Sequence, residues 1–234
     1  QSFVERVVGA ESNGYNPLSL RQVHESYLMW KKTLWRRVDL KEKQNKPFFA
    51  RNREISKIII EAVERGVLIP YNSDSVNDSN VMAREEFIEN IQQIEEEIEE
   101  EEDFGFALDD PFAGFEEDDP FAEDIEEVAA GPIFIPKREF SIFEIKEDLY
   151  FDRIHSRIYF DIQAITMYLP GDSFYNPAGF EKPIASFRFI DLYNLFKSMQ
   201  KDAIWYNESN IAQHKNLGDA FLLRLFKGII VKIA

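Results

Sequence analysis

Cysteine is absent from this chain, and histidine occurs only three times. Without cysteine there is no disulfide, no thiolate nucleophile, no iron–sulfur cluster and no cysteine-ligated zinc. The three histidines, His24, His155 and His214, are scattered, which argues against an imidazole metal centre. No apolar run approaches the roughly 18 residues of a membrane-spanning helix. These absences disfavour a metalloenzyme, a cysteine enzyme and a helical membrane protein, and no cofactor is expected.

Aromatic and acidic residues are abundant instead. Of the 234 residues, 44% are hydrophobic and 21 are phenylalanine, which is enough apolar surface to build a core. The formal net charge is −16, but residues 85–127 hold 21 acids and no Lys or Arg, which leaves 22 acids against 27 bases elsewhere. The acidity therefore belongs to one segment of a mildly basic protein. This distribution, without a concentrated basic stripe, disfavours nucleic acid as a partner.

The acidic segment separates two portions that carry folding patterns. We predict an N-terminal helix–strand–helix unit at residues 1–84, an insertion at residues 85–130 and a C-terminal unit at residues 131–234. Apolar residues at the start of the insertion recur at helical spacing, which predicts an amphipathic helix. Residues from about 104 to 127 contain Asp-Asp-Pro-Phe-Ala twice and have a composition typical of disorder.

The N-terminal unit begins with apolar residues at helical spacing, which predict a helix from Leu20 to about Lys31. Residues 33–40 then alternate between apolar and polar side chains, which predicts a strand that Arg36 interrupts. A stripe of isoleucines predicts a second helix. We expect that helix to end at Gly66, because glycine favours the left-handed conformation found after a helix.

The C-terminal unit is richer in strands. Two alternating runs, residues 142–151 and 158–169, are separated by a polar turn and predict a long β-hairpin. Asp191 and Asn216 are placed to cap two later helices, and residues 229–233 predict a final strand. The predicted fold class is therefore α+β, with mixed short strands and helices, a long β-hairpin and an acidic disordered insertion.

Three functional classes remain open from the residues alone. An enzyme could use carboxylates of the hairpin, although alternation places most of them on the solvent side and no phosphate loop or hydrolase signature is present. These carboxylates are Glu144, Glu147, Asp148 and Asp161. An adaptor could present the Asp-Pro-Phe copies to an apolar pocket. A scaffold could bind through Trp and Tyr, which are frequent at interface hot spots, although core packing is a competing role for them.

Several segments of the chain share a resemblance to one family. The first reads Met29-Trp30-Lys31-Lys32-Thr33-Leu34-Trp35-Arg36-Arg37-Val38-Asp39-Leu40 and continues to Phe49. The others are Ser141–Asp148, Ser156–Gln163, Ala203–Asn207 and His214–Phe221. Together they make the chain similar to the gliding-motility family GldN, called PorN in non-gliding relatives. The resemblance covers nearly the whole chain except the acidic middle.

The resemblance implies a periplasmic, non-enzymatic subunit of the type IX secretion and gliding machinery, without catalytic residues. It also implies assembly in many copies, as large rings, with the outer-membrane lipoprotein GldK (PorK), near the motor-coupled GldM (PorM). The chain opens at Gln1 rather than Met, as expected of a mature form whose signal peptide is gone or of a shortened chain.

Aromatic side chains and cations are the predicted partner-binding residues. They are Trp30, Trp35, Arg36, Arg37, Trp205 and Tyr206. The first three lie at the predicted helix-to-strand junction. Truncation of a buried interface Trp or Arg typically costs about 2 kcal/mol or more of binding free energy. We therefore expect Trp35→Ala or Arg36→Ala to weaken binding of the lipoprotein without abolishing folding.

Overall fold

A five-stranded antiparallel sheet carries the fold. The computed structural model describes residues 25–50, 52–92, 134–210 and 212–234. In chain order the strands are β1 (Leu28–Asp39), β2 (Phe49–Ala50), β3 (Arg53–Glu54), β4 (Ile142–Asp152), β5 (Arg157–Leu169), β6 (Lys182–Arg188), β7 (Ile204–Trp205), β8 (Lys215–Asn216) and β9 (Ile229–Ile233). The main sheet has the order β6-β5-β4-β1-β9, while β2–β3 and β7–β8 form two small sheets.

Helices complete the fold and confirm the predicted α+β class. The α-helices of the described residues are α1 (Ile55–Glu64), α2 (Arg84–Asn90), α3 (Phe189–Ser198) and α4 (Leu217–Leu222). Single 3₁₀ turns lie at Glu25–Tyr27, Lys46–Phe48, Asp78–Asn80 and Lys137–Glu139. Gly66 follows α1 with φ of +73°, as its position in the sequence predicted.

Strand β1 begins earlier than the sequence predicted. Residues 28–31 were expected to end a helix, but they are extended and pair with the far end of β4. Tertiary partners override the helical spacing here: the Trp30 ring stacks on Phe151, and Lys31 forms an ion pair with Asp148. Residues 20–24 of the predicted helix lie outside the described residues. The expected helix-to-strand junction is therefore a continuous strand.

The main sheet is built from strands that lie before and after the insertion in the sequence. Strand β1 lies between β4 and β9, so the segments on either side of the insertion build one sheet. Of the described residues, 25–91 and 135–234 accordingly belong to one compact unit. The segment predicted to be disordered, residues 104–127, lies outside the described residues.

The long β-hairpin is confirmed. Strands β4 and β5 pair in antiparallel register from Ile142 and Tyr168 to Asp152 and Arg157. The turn between them is held by Asp152, whose Oδ1 accepts a hydrogen bond from the Ile154 amide at 2.9 Å. An irregularity between Lys146 and Glu147 shifts the register of the pair. Local alternation and a polar turn are therefore sufficient signals for this element.

One hydrophobic core joins the sheet to the helices. The isoleucine stripe of α1 is buried, and α2 adds Phe87. Around Phe221 of α4 four aromatic rings converge. They belong to Phe48, Phe189, Phe196 and Phe226, at centroid distances of 5.1, 6.0, 6.5 and 5.7 Å. The core is thus rich in phenylalanine, as the composition suggested.

Candidate interaction surface

The structure divides the six predicted partner-binding residues between two places. Four of them, Trp30, Trp35, Arg36 and Arg37, lie on β1 in the main sheet. Trp205 is the last residue of β7, in a separate two-stranded sheet, and Tyr206 follows it. The single aromatic cluster suggested by the sequence is therefore two separate features, and each has its own geometry.

Trp35 lies in the middle of a three-strand rung. Its Cα partners are Lys146 on β4 and Lys232 on β9. The Lys232 Nζ lies 4.3 Å from the indole centroid, and the Lys146 Nζ lies 5.5 Å from it. Cations at these distances are attracted by the ring quadrupole. The indole is therefore held between two lysines across neighbouring strands.

Asp74 fixes the polar end of the indole. Trp35 Nε1 donates a hydrogen bond to Asp74 Oδ2 at 2.7 Å, and Lys146 Nζ lies 3.3 Å from the same oxygen. Burial acts to raise the pKa of Asp74, but the Trp35 hydrogen bond and the Lys146 charge outweigh it. The pKa of Asp74 therefore lies below its ordinary value. The loop that carries Asp74 is thereby anchored to the sheet face on which Trp35 lies.

Two further titratable groups belong to the same face. Burial and the nearby Asp74 charge raise the pKa of Glu144. Burial and the Glu144 charge raise the pKa of Tyr168 to about 12. At the end of β1, Arg37 forms an ion pair with Glu181. The Trp35 face therefore combines an aromatic ring with paired charges rather than with a uniform electrostatic sign.

Strand β9 is the edge strand beside Trp35 in the described sheet. All five of its residues are exposed, and four of them are large and apolar. Their exposed fractions are 68% for Ile229, 43% for Ile230, 51% for Val231 and 58% for Ile233. Trp30, at the other end of β1, is 37% exposed. Because Trp30 lies on the opposite face from Trp35, we call only Trp35 and the five residues of β9 the β1–β9 edge surface.

Arg36 points to the opposite face of the sheet. Its Nε lies 3.0 Å from Oε1 of Glu147, a carboxylate with no solvent exposure. Arg224 binds the same carboxylate with Nη1 at 2.5 Å from Oε2 and Nη2 at 3.2 Å from Oε1. Arg36 therefore does not interrupt the strand as predicted, because Glu147 neutralises it. Its truncation is therefore expected to destabilise the fold, and a role of Arg36 in binding a partner stays a prediction.

A pocket lies beside Tyr206. It has a volume of about 510 Å³ and is lined by Leu40, Lys41, Lys46, Pro47, Phe49, Ala50, Tyr206 and Glu208. The Tyr206 amide donates to the Pro47 carbonyl at 3.1 Å, and its hydroxyl accepts from Arg53 Nη1 at 3.1 Å. These two hydrogen bonds hold the Tyr206 ring in place, where it forms one wall of the pocket. We call this cavity the Tyr206 pocket.

Trp205 belongs to the core rather than to an open surface. Its ring packs against the hydrophobic cluster. The indole Nε1 is buried and has no hydrogen-bond partner among the described residues. Trp205 is therefore less accessible to a partner than the exposed Trp30, and its role in binding stays a prediction.

Alternation had placed most of the hairpin carboxylates on the solvent side, but three of the four are buried and Glu144 is half-buried. Glu147, Asp148 and Asp161 are buried, because both faces of the sheet are covered at these positions. Asp148 accepts a hydrogen bond from Thr33 Oγ1 at 2.8 Å and faces Lys31 at 3.0 Å, and Asp161 accepts from Gln163 at 2.5 Å. These contacts are typical of structural acids.

The residues that the structure describes contain no group of three or more His, Asp or Glu side chains placed to hold a metal ion. Within the same residues, no helix is long and apolar enough to cross a membrane.

Sequence reasoning missed the residues that complete the β1–β9 edge surface. Lys146, Lys232 and Asp74 are far from Trp35 along the chain, so no local pattern connects them. It also missed Phe174 and Phe180, which are 88% and 70% exposed. The available clue was the pair of turn signals Pro170-Gly171 and Asn176-Pro177, which bracket Phe174 and precede Phe180.

Removing the indole donor should change the titration of Asp74. We expect Trp35→Phe to raise the pKa of Asp74 toward its ordinary value, because the ring remains while the Nε1 hydrogen bond is lost. Ionised Asp74 stabilises the native fold above its unfolded pKa, and this stabilisation is lost as the pH falls through the lower folded pKa. Carboxyl-detected NMR titration measures the shift, with Trp30→Phe as the control. An unchanged midpoint in Trp35→Phe would contradict the assignment.

The chain was compared with known proteins. A family model described as "Gliding motility associated protein GldN" matches residues 23–234. The comparison with curated proteins gave no match. The matched span contains the whole main sheet, both small sheets and the Tyr206 pocket.

Proposed function

The chain belongs to the gliding-motility-associated GldN family, and from this premise we propose that it is a non-enzymatic structural subunit of the periplasmic ring complex of the type IX secretion and gliding machinery. In this role it assembles in many copies with an outer-membrane lipoprotein of the GldK or PorK type. A motor-coupled periplasmic protein of the GldM or PorM type is a second expected partner. The protein acts through interfaces rather than through chemistry.

The observation that carries this proposal is the β1–β9 edge surface. Strand edges with exposed apolar side chains tend to associate, and native proteins usually cover or blunt them. Strand β6, at the opposite edge of the sheet, is protected in this way. There Tyr71 and Ser186 exchange two backbone hydrogen bonds of 2.8 Å, and Pro183 lies within β6. The β9 edge has no such cover among the described residues, which supports a partner at this edge.

The backbone of β9 can also accept a further strand. Thr33 and Ala234 exchange two hydrogen bonds of 2.9 Å, so the Ala234 backbone groups point toward β1. Because successive residues of a strand direct these groups to alternate sides, the N–H and C=O of Ile233 point away from β1. A strand of the lipoprotein can pair with them while its side chains contact the exposed isoleucines.

The test is co-purification of the lipoprotein from native envelopes. We expect Ile233→Pro to lose the stoichiometric lipoprotein, because it removes the outward donor while β1 keeps its own bonds. Ile233→Ala keeps that donor and should bind more strongly than Ile233→Pro. Trp35→Ala should weaken binding by roughly 30-fold, the effect of losing about 2 kcal/mol.

Circular dichroism melts supply the control for folding, and mass spectrometry identifies the captured lipoprotein. Variants that melt like the wild type but lose the lipoprotein would support the edge as its binding site. An Ile233→Pro protein that folds normally and still carries stoichiometric lipoprotein would refute strand addition. Failure of the wild-type chain to retain this lipoprotein would refute the proposed function itself.

A further inference from the structure

A second surface lies at the loop between β5 and β6. Residues 170–181 form a loop that is stapled by Asn176, a buried residue. The Asn176 Nδ2 donates to the Pro170 carbonyl at 2.9 Å and to the Phe180 carbonyl at 2.7 Å. Gly171 approaches the opposite side of the loop so closely that a Cβ there would lie 2.7 Å from the Gly179 carbonyl oxygen. We call this segment the aromatic loop, and these contacts give it a defined shape.

The aromatic loop presents phenylalanine to solvent. Phe174 is 88% exposed and Phe180 is 70% exposed. The Phe174 ring also meets Tyr175 edge-on at 5.5 Å, and Tyr175 packs against the core. A rigid exposed aromatic side chain binds with a small loss of conformational entropy, because the free loop already has its bound shape.

The loop is also acidic. Residues 170–181 include Asp172 and Glu181 but no Lys or Arg. Glu181 is paired with Arg37 of the same chain, so Asp172 is the acid of the loop that can meet a cation of a partner. A surface that receives this loop should therefore be an apolar cavity with cations at its rim. Because Phe174 is 88% exposed, its ring does not fill a cavity of its own chain.

The Tyr206 pocket has these properties. Leu40, Pro47, Phe49 and Ala50 give it apolar walls, and Lys41 and Lys46 are exposed cations that line it. Glu208 is the acid among its lining residues. Its volume of about 510 Å³ falls in the range of about 300–1,000 Å³ that small organic ligands occupy, so a benzyl group fits.

We infer that Phe174 of one copy inserts into the Tyr206 pocket of a second copy, with Asp172 beside Lys46. The inference rests on the proposed function in that it assumes a multi-copy assembly, but it uses a surface separate from the β1–β9 edge surface. The contact is heterologous, because the loop and the pocket are different parts of the chain. Heterologous contacts repeat from copy to copy and produce rings or filaments.

Complementation between two defective chains tests this arrangement. The loop variant carries Phe174→Ala with Phe180→Ala, and the pocket variant carries Ala50→Trp, which fills the cavity. Sedimentation velocity of the full chain should show concentration-dependent oligomers for the wild type. Each variant alone should associate at least about 30-fold more weakly. An equimolar mixture should form dimers and stop there, since one intact loop meets one intact pocket.

A charge exchange supplies a second test in case Ala50→Trp does not fold. Lys46→Glu should weaken association, and Asp172→Lys in the same chain should restore it. Wild-type chains that stay monomeric, a loop variant that associates like the wild type, or a charge exchange without rescue would each overturn the inference. A loop variant that still carries the lipoprotein leaves the proposed function intact, so the two failures are distinguishable.

Discussion

Replacing Arg36 and Arg224 together by alanine is expected to lower the free energy of unfolding by about 3–5 kcal/mol, since removing the partners of a buried charge is strongly destabilising. Glu147 is fully buried, and the two guanidinium groups supply its cationic partners among the described residues. Without the two arginines the Glu147 carboxylate remains buried, but no cationic side chain of the described residues compensates its negative charge. Urea unfolding followed by circular dichroism measures the loss.

Glu147 and its two arginine partners do not have equivalent roles, because the acid is buried and the arginines are partly exposed. This difference provides the control. Glu147→Gln in the doubly substituted chain should recover part of the lost stability, because burying a neutral amide costs less free energy than burying a carboxylate. Glu147→Gln alone should be milder than the double substitution, since both arginines are partly exposed and can turn toward water. Equal stability of the double variant and the wild type would contradict the role assigned to these three residues.

Phe221→Ala is expected to cost about 3–5 kcal/mol of stability, the usual range for removing a buried phenylalanine ring. The ring is 2% exposed and lies against four other aromatic rings. Its loss leaves a cavity at the point where α3 and α4 meet the chain around Phe48. Thermal and urea melts both report this loss.

Phe174→Ala is the matched control, since it removes the same side chain from a position that is 88% exposed. A surface substitution of this kind should change stability by less than about 0.5 kcal/mol. Similar destabilisation by the two substitutions would show that Phe221 is not the centre of the core.

The sequence predicted those elements whose signals are local. The hairpin of β4 and β5 follows from alternation and a polar turn, and α4 begins where Asn216 caps it, with its Oδ1 accepting from the Gly218 amide at 2.9 Å. Strand β1 could not be predicted in full, because its helical spacing is overridden by pairing with β4. That pairing brings together residues more than one hundred positions apart.

The sequence predicted only the aromatic part of the candidate site. Trp35 was selected for its residue type, but the lysines and the aspartate around it come from three other parts of the chain. Arg36 was selected for the same reason and proved to be a partner of a buried acid, because strand alternation turns it away from Trp35. Side-chain type therefore indicated which residues can bind, and register decided which of them are available.

The position of β1 in the sheet also has a consequence for the time course of folding. Strand β1, the first long strand of the described residues, is a central strand, flanked by β4 and by β9, the last one. Such non-local pairing makes folding slow. At a synthesis rate of about 5–20 residues per second, the roughly 190 residues between the end of β1 and the start of β9 emerge over about 10–40 s. Throughout that interval the sheet cannot close.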